Sequence, residues 1–301
     1  MNKDHNFVSA IIYCRNNEAE VENMINRVYR QFRDKFKDFE IICVNDDSED
    51  GTAKKIEDVG NQLESVVITT INMSYYQGVE NAMRAGIDLA IGDFAYEFDS
   101  CIFDYEDSKI IDVYSKCLEG YDIVSLVPNK QKFSSFVFYK IFNKYSNINQ
   151  AITSERFRIL SRRAINRIND LNTIIPYRKA LYAQSGLNTA KIEYQQNVVL
   201  QVGNKDVAVT SLLLFTKLGS VISISLCLLM TFASLMLTIY TVVVFFTENP
   251  IAGWTTTMLF LSISFSLLFL LVSILIKYIS VVVELLLKKQ EYVIRGIVKN
   301  K

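Results

Sequence analysis

Five short apolar runs, Val8 to Tyr13, Phe39 to Val44, Val66 to Ile71, Phe94 to Phe98 and Asp122 to Val127, predict β-strands in the first part of the chain. Between the first four runs, apolar residues recur at helical spacing. Val21, Met24, Ile25, Val28 and Phe32 form one stripe, Ala53, Ile56, Gly60 and Leu63 a second, and Val79, Ala82, Met83, Gly86 and Ala90 a third. Strands alternating with amphipathic helices predict right-handed crossovers and an α/β fold with a mainly parallel sheet flanked by helices. Ligands in such sheets bind beyond the carboxyl ends of the strands, which directs attention to the residues after Tyr13, Val44 and Phe98.

The pattern changes after residue 206. From Val207 to Leu287, 81 residues carry only Lys217, Glu248, Lys277 and Glu284 as charges. Leu218 to Phe246 is 29 residues without a charge. As a helix it is roughly 43 Å long, enough to cross a bilayer core. Thr255 to Ile276 adds 22 more uncharged residues. The predicted organisation is therefore a cytosolic domain over 1–205, an amphipathic juxtamembrane segment over 206–217, a transmembrane helix over 218–246 and an external loop over 247–254. A second transmembrane helix with its cytosolic extension covers 255–287, and a basic cytosolic tail covers 288–301. Lys205 and Lys217 precede the hairpin, Lys277, Lys288, Lys289, Arg295, Lys299 and Lys301 follow or close it, and Thr247 to Trp254 has no Lys or Arg. The bias of basic residues predicts a multi-pass inner-membrane protein with both termini in the cytosol. Small polar residues along both spans, Ser223, Ser225, Ser234, Ser262, Ser264 and Ser266, suit close helix packing and are compatible with a homo-oligomer.

Composition narrows the chemistry. With 32 basic and 32 acidic residues and no basic block, the chain lacks the clustered cations that nucleic-acid phosphates require. The single histidine, His5, excludes Ser-His-Asp triads and His-rich zinc sites. Cys14, Cys43, Cys101, Cys117 and Cys227 show no CxxC spacing, so reduced thiols are expected. The opening MNKDHNF is too polar for a signal peptide, and neither GxxxxGK[ST] nor GxGxxG occurs.

Polar and acidic clusters do occur at the strand ends. Asn16, Asn17 and Glu18 follow the first strand, Asn45-Asp46-Asp47-Ser48-Glu49-Asp50-Gly51-Thr52 the second, and Glu97, Asp99 and Asp104 surround the end of the fourth. Such groups turn the chain and start helices. Three clusters at successive strand ends also suit the base, ribose and diphosphate of a nucleotide sugar.

In this order the motifs resemble family 2 glycosyltransferases of the GT-A fold, specifically the dolichol-phosphate-mannose-synthase-like, bacterial polyprenyl-phosphate branch with two C-terminal membrane helices. VSAIIYCRNNE is similar to that family's first strand and turn, with Tyr13 where proline is usual. VNDDSEDGT is similar to its V-D-D-G-S-x-D-x-T motif, with Asn45 and Asp46 in the two Asp positions. Gly78, Ala82, Gly86, Ala90, Gly92 and Asp93 follow its glycine–alanine segment, FRILSRR its F-R-L-x-S-R-R stretch, and Lys277-Tyr278 its membrane exit.

The resemblance implies inverting transfer of a sugar from a UDP- or GDP-linked donor to a polyprenyl phosphate of the undecaprenyl type, for cell-surface polysaccharide or glycan modification. It implies catalytic roles for Asp99, Asp104 and Arg158, and donor contacts from Asn16, Glu18, Asn45, Asp46, Ser48, Asp50, Gly78, Asp93 and Glu97. Lipid-phosphate contacts are expected from Arg158, Ser161, Arg162 and Lys277, since arginine offers paired donors to phosphate oxygens. The family's D-x-D-x-Q metal motif falls on Asp99-Ser100-Cys101-Ile102-Phe103, so Mg or Mn is expected only through Asp99, with Cys101 and Phe103 in place of oxygen ligands. That departure keeps open a second expectation, a catalytically degenerate homologue that serves as a binding or scaffold subunit of a membrane glycan assembly.

Overall fold

Strand β1 (Val8–Cys14) is buried on both of its faces and apolar apart from Ser9, whose hydroxyl is bonded to Glu40, because helices cover the sheet on both sides. Val8, Ala10, Ile12 and Cys14 point into one layer, where α1 (Val21–Lys35), α2 (Thr52–Gln62) and α4 (Ser108–Leu118) bury Met24, Ile25, Val28, Phe32, Ile56, Val59, Ile110, Val113 and Tyr114. Ile11 points into the other, against Ala82 and Met83 of α3 (Gly78–Leu89), Ala164 and Ile165 of α6 (Arg162–Asp170) and Leu181 of α7 (Arg178–Gln184). A Cβ on Gly86 would collide with the Ile11 and Val44 side chains, so α3 reaches β1 and β2 at a separation only glycine permits.

These features come from a computed structural model, which describes residues 3–63, 66–130, 133–145, 151–170, 177–196, 218–247, 251, 253–286 and 292–300. The segments expected at 206–217 and 248–250, and Lys205, Lys288, Lys289 and Lys301, lie outside them. The remaining strands are β2 (Phe39–Asn45), β3 (Val67–Met73), β4 (Phe94–Phe98), β5 (Ile123–Pro128), β6 (Phe157–Ser161), β7 (Thr189–Tyr194) and β8 (Ile294–Asn300), and α5 (Phe133–Tyr145) lies between β5 and β6. They form one sheet in the order β7-β5-β6-β4-β1-β2-β3-β8. β1 runs parallel to β2 and β4, and β2 to β3, so their carboxyl ends share one edge. β6 is antiparallel to β4 and β5, and β8 is antiparallel to β3.

Two compact units result, one of Met1–Ala208 with Lys289–Lys301 and one of Val209–Lys288. The C-terminal stretch, expected as a basic tail, is thus the edge strand of the first unit, and the apolar hairpin is an insertion into that unit. Pairing with β3 satisfies backbone groups that a tail would leave to water.

The second unit holds α8 (Leu218–Thr247) and α9 (Trp254–Leu286), whose spans Ile224–Thr247 and Trp254–Ile279 are long and apolar enough to cross a membrane. In the most apolar 18-residue stretch of each, only 11% and 6% is buried, which suits surfaces solvated by lipid. The buried positions include Cys227, Ser234 and Thr241 on the first helix and Ser262 on the second. Ser225 and Ser264 are exposed, so the small polar residues do not all serve helix packing.

Candidate active site

The first two loops at the carboxyl edge are laced together by the residues the sequence singles out. Ser48 Oγ accepts from the Asn16 amide at 3.1 Å, and Asn16 Oδ1 accepts from the Glu49 amide at 2.9 Å. The Glu18 amide donates to Asp50 at 3.2 Å while Glu18 Oε2 accepts from the Gly51 amide at 3.0 Å. Asn45 receives the Ser48 amide and donates to Asn72 Oδ1 at 2.8 Å. Asn16 (φ 49°) and Asp47 (φ 53°) adopt the left-handed conformation, which asparagine and aspartate tolerate better than most residues.

Asp46 is fully buried at the centre of this network. Its Oδ1 accepts from the Gln77 amide and its Oδ2 from the Gly78 amide, both at 2.9 Å, and Tyr13 Oη donates to Oδ2 at 3.0 Å. Asp46 therefore fixes the start of α3, and Gly78 supplies the φ of +82° that the turn needs. Tyr13, standing where proline is usual, is part of this arrangement. Burial and the Asp46 charge push its phenol far above the ordinary range.

The end of β4 carries the densest charge cluster. Arg158 on β6 lies opposite Glu97 in the antiparallel ladder and donates to Glu97 Oε2 at 2.8 Å, Asp99 Oδ2 at 2.7 Å and Glu155 at 3.0 Å. Arg178, the first residue of α7, donates to Glu97 Oε1 at 2.5 Å, Asp99 Oδ1 at 2.7 Å and Glu80 at 3.0 Å. Tyr182 Oη completes the Glu97 shell at 2.7 Å. Glu97 and Arg158 are essentially inaccessible, whereas the Asp99 side chain keeps 16% exposure. Burial alone raises the Asp99 pKa, but the Arg158 and Arg178 charges outweigh it and hold the carboxyl well below its usual range. Each guanidinium spends three of its five N–H groups on these carboxylates.

Asp104 belongs to a separate group, paired with Arg156 and accepting from Gln196 at 2.7 Å and Tyr194 at 3.2 Å. Cys101 does not take the place of a ligand. It is 2% exposed, points at Tyr13 O (3.4 Å) and Cys14 Sγ (3.8 Å), and sits in the core. Phe103 packs against the tilted ring of Tyr105 and lies under the Arg27 guanidinium. Among the described residues no three His, Cys, Asp or Glu side chains converge on one point. Both Asp99 oxygens already face cationic donors, so these residues do not fit a divalent cation.

Strand polarity separates the remaining candidates. Ser161 pairs with Phe94 at the amino end of β4, whereas Arg158 pairs with Glu97 near its carboxyl end. Ser161 bonds Asp122 at 3.2 Å, and Arg162 donates to the Gly92 carbonyl at 2.8 Å and to that of Ala90 at 2.9 Å. Asp93 receives the Phe7 amide at the same end. Arg158, Ser161 and Arg162 therefore do not form one phosphate site, because the i, i+3 and i, i+4 spacings that gather side chains on a helix span the length of a strand. Lys277 lies on the second apolar helix, in the other unit. Arg178, Tyr182, Glu80 and Glu155 are cluster members that no local pattern marks; the fold alone brings Arg178 to Glu97, 81 residues away.

Residues 9–168 match the family model described as glycosyl transferase family 2. An uncharacterized glycosyltransferase of Synechocystis sp., sll0501, is 30% identical over 200 residues, 64% of this chain and 60% of that protein. An undecaprenyl-phosphate 4-deoxy-4-formamido-L-arabinose transferase of Shewanella sediminis is 30% identical over 146 residues, 48% of this chain and 43% of that protein. The chain thus spans about three-fifths of the first of these relatives and less of the second. Among solved structures, the mannosyltransferase PcManGT from Pyrobaculum calidifontis, in complex with GDP-Man and Mn2+, superposes with a TM-score of 0.50 at 15% identity, covering 65% of this chain and 58% of that one. The match over more than half the residues, on a mixed sheet of this architecture, makes the chain a member of glycosyl transferase family 2.

Proposed function

We propose that the protein is a membrane-anchored inverting glycosyltransferase that moves a sugar from a UDP- or GDP-linked donor to a polyprenyl phosphate. The observation that carries this reading is the pair of arginines, Arg158 and Arg178, fixed by Glu97 and Asp99 at the carboxyl edge of a family 2 sheet. The Shewanella relative, named for transfer to undecaprenyl phosphate, and the two apolar helices support a lipid-linked acceptor.

In the proposed reaction a phosphate oxygen of the lipid attacks the anomeric carbon as the bond to the donor diphosphate breaks. The diphosphate leaves with the bonding electron pair. The nucleophile is already anionic, so no strong general base is required. The charges of Arg158 and Arg178, held in place beforehand by the carboxylates, stabilise the charge that develops on the leaving group through the field they set up at the carboxyl edge. The basic residues flanking the hairpin and the return of β8 to the first unit support an inner-membrane location with both termini cytosolic as part of this reading.

A second reading is favoured by one observation, the occupation of both Asp99 oxygens by arginine. Under it the chain is an inactive homologue that binds a partner or lipid. The test is transfer of radiolabelled sugar from a panel of UDP and GDP donors to polyprenyl phosphate, in membranes containing the full chain, with and without Mn, beside Asp99→Ala and Arg178→Ala. Product that both substitutions abolish supports the enzyme. No product from any donor, with folded protein present, leaves the inactive homologue standing.

A further inference from the structure

The chain that follows the second apolar helix docks on the loop that Asp46 holds. Val293 lies seven residues after the helix end at Leu286. Its backbone exchanges two hydrogen bonds with one side chain: Gln77 Nε2 donates to Val293 O at 2.7 Å, and the Val293 amide donates to Gln77 Oε1 at 2.9 Å. The Ser74 amide reaches the same carbonyl at 3.1 Å. Gln77 thus continues the β3–β8 ladder with a side-chain amide in place of a peptide group, just past the register shift at Asn72 and Met73. Its own backbone amide is bound by Asp46 Oδ1, and Asn72 beside the shift accepts from Asn45. Two residues of the VNDDSEDGT segment are therefore tied to the C-terminal edge strand.

We propose that Gln77 is a positioning residue that sets the nucleotide loop from the return segment of the membrane hairpin. The proposal rests on the donor-binding reading given above. Tyr292 is bonded separately to Asp88 at 2.9 Å, so the return segment has a second anchor and Gln77 is not needed merely to keep β8 in place. The role of Gln77 is to fix the Gln77–Gly78 amides against Asp46, and through Asp46 the loop between β2 and α2.

The test measures affinity for UDP and GDP by titration calorimetry on the purified full chain in detergent, for wild type, Gln77→Ala, Gln77→Glu and Tyr292→Phe. Losing two hydrogen bonds loosens the loop, and transmission of about one ordinary bond's worth of that loss to the site predicts roughly three- to tenfold weaker binding in Gln77→Ala. Gln77→Glu, which keeps the acceptor for the Val293 amide but sets a carboxylate oxygen against the Val293 carbonyl, weakens binding at least as much, and Tyr292→Phe stays at the wild-type value. Amide exchange over residues 74–78 should quicken in the same order as affinity falls. Unchanged affinity in Gln77→Ala overturns the proposal, as does an equal loss in Tyr292→Phe, which would mark general loosening of the strand. Absence of binding by the wild type overturns instead the donor-binding reading.

Discussion

Arg158 and Arg178 grip the same two carboxylates, each taking one oxygen of Glu97 and one of Asp99. Four charged groups thereby close a ring in which no buried charge lacks a partner, the condition under which burial of ions is tolerated. Opening that ring from one side is costly. Arg178→Met should destabilise the folded chain by about 3 kcal/mol, because Glu97 stays buried with half its counter-charge removed. Breaking the exposed Arg33–Asp34 pair should leave stability unchanged. Thermal unfolding of both variants in detergent checks the contrast, and equal midpoints would refute it.

The depressed Asp99 pKa sets a pH dependence of known sign. A carboxylate held below its ordinary value of 3.8 contributes stability above that value and loses it as pH falls toward the folded-state pKa. The unfolding temperature should therefore be flat from about pH 7 to 5 and fall below about pH 4. Asp122, lowered by Arg163 against the cost of its burial, adds to the same limb. Asp99→Asn should make the acid limb shallower. An unchanged acid slope in that variant would show that the ring does not govern it.

The strand and helix pattern was legible where side-chain burial follows the backbone period. All five residues of the first stripe, from Val21 to Phe32, are buried, and the five expected strands form with ends shifted by a residue or so. Strand β8 was hidden because IRGIVKN carries two charges and a glycine, a composition an edge strand accepts and a buried one does not. The cluster was half legible. Glu97, Asp99 and Arg158 stand in motifs, whereas Arg178 is distinguished only by where α7 places it. The phosphate group drawn from FRILSRR divides for a related reason: residues 157–161 form a strand, so Arg158 and Arg162 lie at opposite ends of it.

Motif spacing makes Cys101 the obvious position for rebuilding a metal site, and the structure reverses that expectation. The thiol points into the core at Tyr13 O and Cys14 Sγ. A carboxylate there would be buried against a carbonyl oxygen without a cation or an N–H donor. Cys101→Asp, alone or with Phe103→Gln, should destabilise the fold by about 3 kcal/mol or more and bring no Mn-dependent gain in sugar transfer. Denaturant unfolding together with an Mn titration checks this. A variant of wild-type stability that bound Mn would show that the loop after β4 turns Cys101 outward.

Insertion of the hairpin between two parts of one folded unit constrains how the chain crosses a membrane. The first unit takes chain from both sides of the hairpin in sequence, and β8 completes its sheet by pairing with β3, so the proposed two-span crossing puts both ends of the hairpin on one side. In the orientation proposed above, the basic residues Lys217, Lys277, Arg295 and Lys299 mark that side as the cytosol and the segment near Ile251 as the other. All five natural cysteines are buried and should remain silent to a bulky, membrane-impermeant maleimide. In intact cells Ile251→Cys should then label and Lys299→Cys should not; opening the membrane should expose Lys299→Cys. Labelling of Lys299→Cys in sealed cells would invert the orientation. Labelling of both from outside would show that the apolar helices do not cross the membrane as a pair.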